Sequence, residues 1–202
     1  TMKGEDYFYQ KIKAMLTEVA TRKMTYAEFK DMEIPDGDTS VYELINGEIM
    51  RRASPNSPHQ DLFRELFLTI GIHVKQNKLG KTYSAPYDVV LDDESVPQPD
   101  IFFVSKEREF IINPKNGVEG APDLIIEILS KGTAKYDKGA KKDLYERFQV
   151  KEYWIADPVR RSIEVYGLVD GRYKLVSFAE EEGKITSEVL GGFELEVSTL
   201  FI

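Results

Sequence analysis

A chain of 202 residues, 42% hydrophobic and 11% aromatic, can bury one sizeable core but is short for two full domains. It has no cysteine and only two histidines, His59 and His73, which excludes disulfides and thiolate metal sites and argues against a histidine-based zinc centre. The formal net charge of -8 argues against indiscriminate nucleic-acid binding. No apolar run reaches the roughly 18 residues of a membrane span, and the N-terminus is polar, so a soluble, cytoplasmic protein is expected.

In chain order, Tyr9, Ile12, Leu16 and Val19 recur three or four apart and predict an amphipathic helix over 5–21, an accessory element within 1–23 of a single domain. A short helix is expected over 25–32, capped by Thr25. Residues 41–51 read as a hairpin turned at Asn46-Gly47, with Glu43 in its first strand. After a polar loop, Leu62, Leu66, Ile70 and Val74 mark a long core-facing helix over 59–74, with Gly80 as its stop. His59 and Gln60 open that helix, where polar side chains can cap it or line a site. Strands are expected over 83–91 and 100–104, then an irregular loop over 105–120 rich in Asn, Pro and Gly. A further strand over 122–130 leads to a helix over 135–148, then to a strand over 152–156. An antiparallel pair turned at Asp170-Gly171, then a strand and a closing turn over 189–202, complete the chain. The order predicts an α/β or α+β fold, a mixed sheet flanked by helices with an antiparallel C-terminal extension.

Two strands carry carboxylates that need explanation. In PDLIIEILS, extended backbone puts Asp123, Ile125, Glu127 and Leu129 on one face, so Glu127 falls mid-strand where water is scarce. An ionised carboxylate there is costly unless paired, hydrogen-bonded or bound to a metal. Asp100 in QPDIFFV poses the same question one strand earlier. If the strands are neighbours, both groups can face one hard divalent cation. The stretch 131–151 is the basic part of the chain, with Lys131, Lys135, Lys138, Lys141, Lys142, Arg147 and Lys151. Lys138 and Lys142 are thereby candidates for contact with nucleic-acid phosphates. Asp137, Lys141 and Tyr145 form a stripe on the predicted helix, with Tyr145 most simply a core residue.

Taken together, YELINGEI, SPNSPHQ, QPDIFFV, PDLIIEILS, YDKGAKKDLY and EYWIADP resemble the Uma-two family of restriction-endonuclease-like proteins, within the PD-(D/E)xK nuclease superfamily. The match runs from about Met24 to beyond Pro158. It implies a restriction-endonuclease-like fold and a metal-dependent endonuclease acting on DNA, with a homodimer expected because cutting both strands of a duplex often uses two sites. Leu129 stands where that superfamily usually has its catalytic lysine, two residues after the glutamate. The resemblance places the lysine at Lys141 instead, with Lys131 as a competing candidate, and turns Glu43 toward the site. Asp100, Glu127 and the Ile128 carbonyl would then hold Mg²⁺ or Mn²⁺. The rival is a non-catalytic binding or assembly module on the same fold.

Overall fold

The computed structural model describes residues 22–34, 37–38, 40–52 and 54–201, so the helix expected over 5–21 lies outside the described residues. Helix α1 (Tyr26–Lys30) starts in a capping box: the Thr25 hydroxyl accepts from the Glu28 N–H while Glu28 accepts from the Thr25 N–H. Strands β1 (Val41–Ile45) and β2 (Glu48–Arg52) form the expected hairpin, with Asn46 and Gly47 at φ 54° and 79°. Helix α2 (Ser57–Asn77) begins where the Asn56 side chain accepts from the His59 N–H. It ends with Lys78, not Gly80, in the left-handed conformation.

The strand expected over 83–91 is two pieces, β3 (Gly80–Ser84) and β4 (Val89–Val90), because Pro86 between them cannot donate to a ladder. After β5 (Ile101–Ser105), the segment expected to be irregular holds a 3-10 helix (Lys106–Ile111) and the short strands β6 (Ile112–Asn113) and β7 (Gly117–Glu119). Glycine permits this at residue 117, where a Cβ would stand 2.3 Å from the Asp88 carbonyl oxygen. Strand β8 (Leu124–Ile128) is followed by α3 (Ala134–Lys138) and α4 (Ala140–Arg147). The single helix expected over 135–148 is thus interrupted at Gly139, a poor helix former. Strands β9 (Glu152–Asp157), β10 (Ser162–Val169) and β11 (Arg172–Glu180) come next. In the tail an additional strand, β12 (Lys184–Ser187), precedes the expected range and pairs with the expected strand, β13 (Phe193–Glu196), and a 3-10 helix makes the expected closing turn.

The central sheet has the order β11-β10-β9-β8-β5-β3, and only β8 and β9 run parallel within it. Period-2 alternation divides its side chains between two cores. Ile101, Phe103, Ile126 and Ile128 meet Leu62, Leu66, Ile70 and Val74 of α2 on one face. Phe102, Val104, Ile125 and Leu129 meet Ile45 and Met50 of the hairpin and Leu144 and Tyr145 of α4 on the other. This is a mixed α+β fold, a central mixed sheet with helices packed against it. Strand β5 pairs with β8 so that Ile101 opposes Ile126, and one step further along the register Asp100 comes opposite Glu127. Both carboxylates therefore emerge on the second face, under the hairpin and α4.

Candidate active site

The hairpin supplies the first pair of charges. Its register sets Val41 against Arg52 and Glu43 against Met50, so Glu43, Met50 and Arg52 share one buried face. Arg52 Nε lies 3.0 Å from Glu43 Oε2. The backbone around Gln98 anchors both side chains: its N–H donates to Glu43 Oε1 at 2.7 Å, and its carbonyl accepts from Arg52 Nη2 at 2.9 Å. The hairpin is thereby fastened to the segment that leads into Asp100.

Asp100 is surrounded by donors. The Ile128 N–H reaches its Oδ2 at 2.8 Å, His59 Nε2 lies 3.2 Å from the same oxygen, and Arg52 Nη1 lies 3.3 Å from Oδ1. A carboxylate only accepts, so Nε2 carries the imidazole proton in this bond. Burial opposes ionisation of Asp100, but the His59 bond, Arg52 and the Ile128 N–H outweigh it and hold the pKa below the ordinary carboxylate value.

Glu127 is in the opposite condition. It is fully buried, Lys141 Nζ and the Tyr145 hydroxyl both donate to its Oε1, at 2.9 and 2.8 Å, and its Oε2 has no hydrogen-bond partner among the described residues. Arg52 Nη1 is 3.8 Å from that oxygen, beyond hydrogen-bonding distance. Burial, reinforced by Asp100 and Asp137 and only partly offset by Lys141, pushes the Glu127 pKa up to about 8. Lys141 is itself fully buried, 2.9 Å from both Glu43 and Glu127 and 3.8 Å from Asp137. Burial disfavours its charge, yet Glu127 and Glu43 more than compensate and raise its pKa.

Asp137 comes from α3 and Lys141 and Tyr145 from α4, and their i, i+4 stripe survives the interruption at Gly139. Among the described residues Glu43, Asp100, Glu127 and Asp137 are four carboxylates facing the two permanent cations Arg52 and Lys141, so with all four ionised the buried cluster would carry an excess of two negative charges, which the proton held on Glu127 partly relieves. A cleft of about 480 Å³ opens onto it, lined on the cluster side by Arg52, His59 and Asp100 and beyond them by Gln60, Phe63 and Lys131.

The candidates from the sequence fall into two groups. Glu43, His59, Asp100, Glu127, Lys141 and the Ile128 backbone converge within this cluster, and Gln60 lines the cleft. Lys138 and Lys142 do not line the cleft: Lys138 Nζ is 3.5 Å from Glu164, and Lys142 Nζ lies 3.3 Å over the Tyr166 ring. Both residues follow Asp137 and Lys141 by one position, and on a helix that step turns them away from the inward stripe. Lys131 is exposed on the cleft wall. Sequence reading missed Arg52 and Asp137 and assigned Tyr145 to the core. Arg52 had a signal: it alternates with Met50 on the apolar face of the hairpin.

A family described as Uma2, "Putative restriction endonuclease", matches residues 26–198. The chain belongs to this family. An uncharacterized protein of Synechocystis sp. is 27% identical over 164 residues, covering 81% of this chain and 91% of that protein. A crystal structure of a "putative nuclease belonging to DUF820" from Anabaena variabilis superposes with a TM-score of 0.71 at 20% identity, covering 88% of this chain and 97% of that one. At that identity the likeness establishes the fold, and the family carries the nuclease-like assignment. Among the described residues no helix is long and apolar enough to cross a membrane.

Proposed function

We propose that the cluster is the active site of a metal-dependent endonuclease that hydrolyses phosphodiester bonds in DNA. The observation that carries this reading is the charge imbalance: four buried carboxylates face two cations, and Glu127 Oε2 has no donor. Among the described residues no three acidic or histidine side chains form a ready-made ligand set. The donor chemistry nevertheless fits a hard divalent cation: the ligands are carboxylate oxygens, one is orphaned, and a 2+ charge would cancel the excess. Asp100 and Glu127, with the Ile128 carbonyl, are the residues that would hold Mg²⁺ or Mn²⁺. When bound, such a cation offsets charge developing on phosphoryl oxygens and makes water a better nucleophile near neutral pH.

The chain's own groups divide the remaining work. Lys141 holds Glu43 and Glu127 apart at a fixed spacing and supplies an ammonium that can orient water or stabilise an anionic transition state. His59 and the Ile128 N–H fix the Asp100 carboxylate, so it enters the reaction without reorganising. Arg52 separates Glu127 from the cleft and is positioned to meet a phosphate entering there.

One observation favours the rival reading of a non-catalytic nuclease-fold module: Arg52 Nη1 already stands near both Asp100 and Glu127, as a structural counter-ion would. Calorimetry with Mg²⁺ and Mn²⁺ separates the two. The enzyme reading expects weak binding at one site, cleavage of DNA in either metal, and loss of both in Asp100→Asn. If Asp100→Asn binds metal as well as the parent, the ligand assignment is wrong. If the parent binds no metal and leaves duplex, single-stranded and RNA substrates intact, the module reading replaces it.

A further inference from the structure

A second groove, of about 540 Å³, lies where the C-terminal end of α2 meets β3, the edge strand of the central sheet. Its walls carry Lys75, Lys78, Lys81 and Lys106 against the single carboxylate of Glu109, a local excess of three positive charges on a protein whose formal net charge is -8. Glu109 is engaged with Lys81 at 3.0 Å. Lys75, Lys78 and Lys106 are exposed, and among the described residues none pairs with a carboxylate. Three unneutralised ammonium groups around one concavity are the electrostatic footprint of a polyanion.

Helix α2 connects this groove to the cleft. Gln60, Phe63, Phe67, Gly71 and Lys75 recur at three- or four-residue spacing and share one face of the helix. Phe63 lines the cleft and Phe67 lines the groove. Their rings stack on each other, with centroids 5.5 Å apart and planes 15° from parallel, and both side chains stay partly exposed. Gly71 beyond them has nothing within 4 Å of the place a Cβ would take, so the lane stays open there. At about 1.5 Å per residue, His59 and Lys75 are about 24 Å apart along the helix axis.

Resting on the phosphodiesterase reading of the cleft, we infer that this lane is the track for single-stranded DNA: phosphates follow the lysines of the groove, a base stacks at the Phe63–Phe67 pair, and the strand enters the cleft beside Arg52 and Asp100. Lysines that track a backbone, interleaved with partly exposed aromatic rings, suit unpaired bases, whose faces are free to stack. In a duplex those faces are already occupied.

The test uses the full chain, a labelled oligothymidylate and a duplex of equal length, in chelator so that binding is read without cleavage. The variants are Lys75→Gln/Lys78→Gln/Lys106→Gln, expected to melt like the parent, and Phe67→Ala, whose ring also packs against the core and which is therefore compared well below its own lower melting temperature. The triple variant should bind the single strand more weakly, and its log–log salt slope should flatten by about 2, roughly 0.7 for each lost phosphate contact. Phe67→Ala should weaken single-strand binding by about tenfold with the slope unchanged. An unchanged slope in the triple variant, or a parent that prefers the duplex, overturns the track. A short model phosphodiester, too small to reach the groove, separates the two readings. If Asp100 is needed to hydrolyse it and the groove variants bind long single strands normally, only the track fails. If the parent hydrolyses neither the short diester nor DNA, the phosphodiesterase reading fails with it.

Discussion

Strand β8 has a buried carboxylate at each end, and the two are held in opposite ways. Asp123, immediately before the strand, has a surplus of donors: Lys151 at 2.6 Å, Arg108 at 3.1 Å and the Ser105 N–H at 2.9 Å. Burial works against its ionisation, but Lys151, the Ser105 N–H and Arg108 outweigh it and hold the pKa below the ordinary value. Glu127, four residues on and on the same strand face, shares the Lys141 ammonium with Glu43 and has Arg52 no nearer than 3.8 Å to its other oxygen, and its pKa is pushed up to about 8. The difference separates a carboxylate that holds the fold together from one that is held by it. Burial alone does not distinguish them, since both are almost fully covered. The balance of donors does.

Removing Lys141 should break this comparison most severely. Lys141→Ala takes the one buried ammonium away from Glu43 and Glu127, and stranding a buried charge in this way costs about 3–5 kcal/mol. Turnover should fall by a further factor on the order of 100 to 10,000 if the ammonium also acts on water or phosphate. Thermal melting and a nicking assay on the same preparation read the two losses separately, and metal binding should persist in the fraction that folds. Lys131→Ala is the control, because Lys131 is exposed on the cleft wall. If Lys131→Ala is inactive and Lys141→Ala cuts normally, the ammonium at the centre of the cluster is a structural counter-ion and Lys131 is the better catalytic candidate.

How much of this was legible in the sequence follows from the range of the interactions involved. Period-2 alternation and turn chemistry are local properties: the first placed Glu127 on the correct strand face, and the Asn46-Gly47 step placed the hairpin turn. The strand that Asp100 leads into was equally legible, as an apolar run of β-branched and aromatic residues. The joining of Glu43 to Lys141 across 98 residues was reached only through family resemblance, because no local pattern encodes it. Arg52 escaped notice since an arginine at the end of a hairpin strand is usually solvated. Its burial depends on the contact between the hairpin and the Gln98 segment. The break at Gly139 was hidden because the i, i+4 spacing of Asp137, Lys141 and Tyr145 continues across it, and only the Gly139 backbone, at φ -122° and ψ -100°, shows that the helix is divided. The lysines of the second groove come from α2, β3 and the 3-10 helix, so they are dispersed in the sequence and assembled only by the fold.

Asp123→Asn probes the surplus end of the strand. The variant keeps the shape but loses charge-assisted bonds from Lys151, Arg108 and the Ser105 N–H, which should cost about 1–3 kcal/mol at neutral pH. Because the folded pKa is depressed, the stabilisation is present above the unfolded value of about 3.9 and disappears as pH falls through the folded one. The melting temperatures of parent and variant should therefore differ at pH 7 and converge in acid, while DNA cleavage at pH 7 stays at the parent level where both are folded. A loss of cleavage without a loss of stability would place Asp123 in the site and remove the distinction.

Glu127→Gln is expected to have the smallest effect on stability, and it discriminates most sharply. In the unfolded chain Glu127 loses its proton near the ordinary glutamate value of about 4.3. In the folded protein burial keeps the proton on to about pH 8. Between those values the native state binds more protons than the unfolded state, so this residue makes the parent less stable as pH rises through the window. Glutamine cannot ionise, fills nearly the same volume and keeps a carbonyl oxygen that can accept from Lys141 and Tyr145, so that pH dependence should vanish in the variant. Glu43 remains beside Lys141 to balance its charge. The variant should therefore melt at or above the parent temperature, with its advantage growing from about pH 5 to pH 8, while cleavage falls by at least about 100-fold because an amide cannot give up a proton to become the anionic oxygen ligand that the proposed cation would draw from Glu127. A variant that instead loses several degrees at every pH, as Asp123→Asn is expected to do at neutral pH, would show that both ends of the strand are structural, and the nuclease reading would lose the imbalance on which it stands.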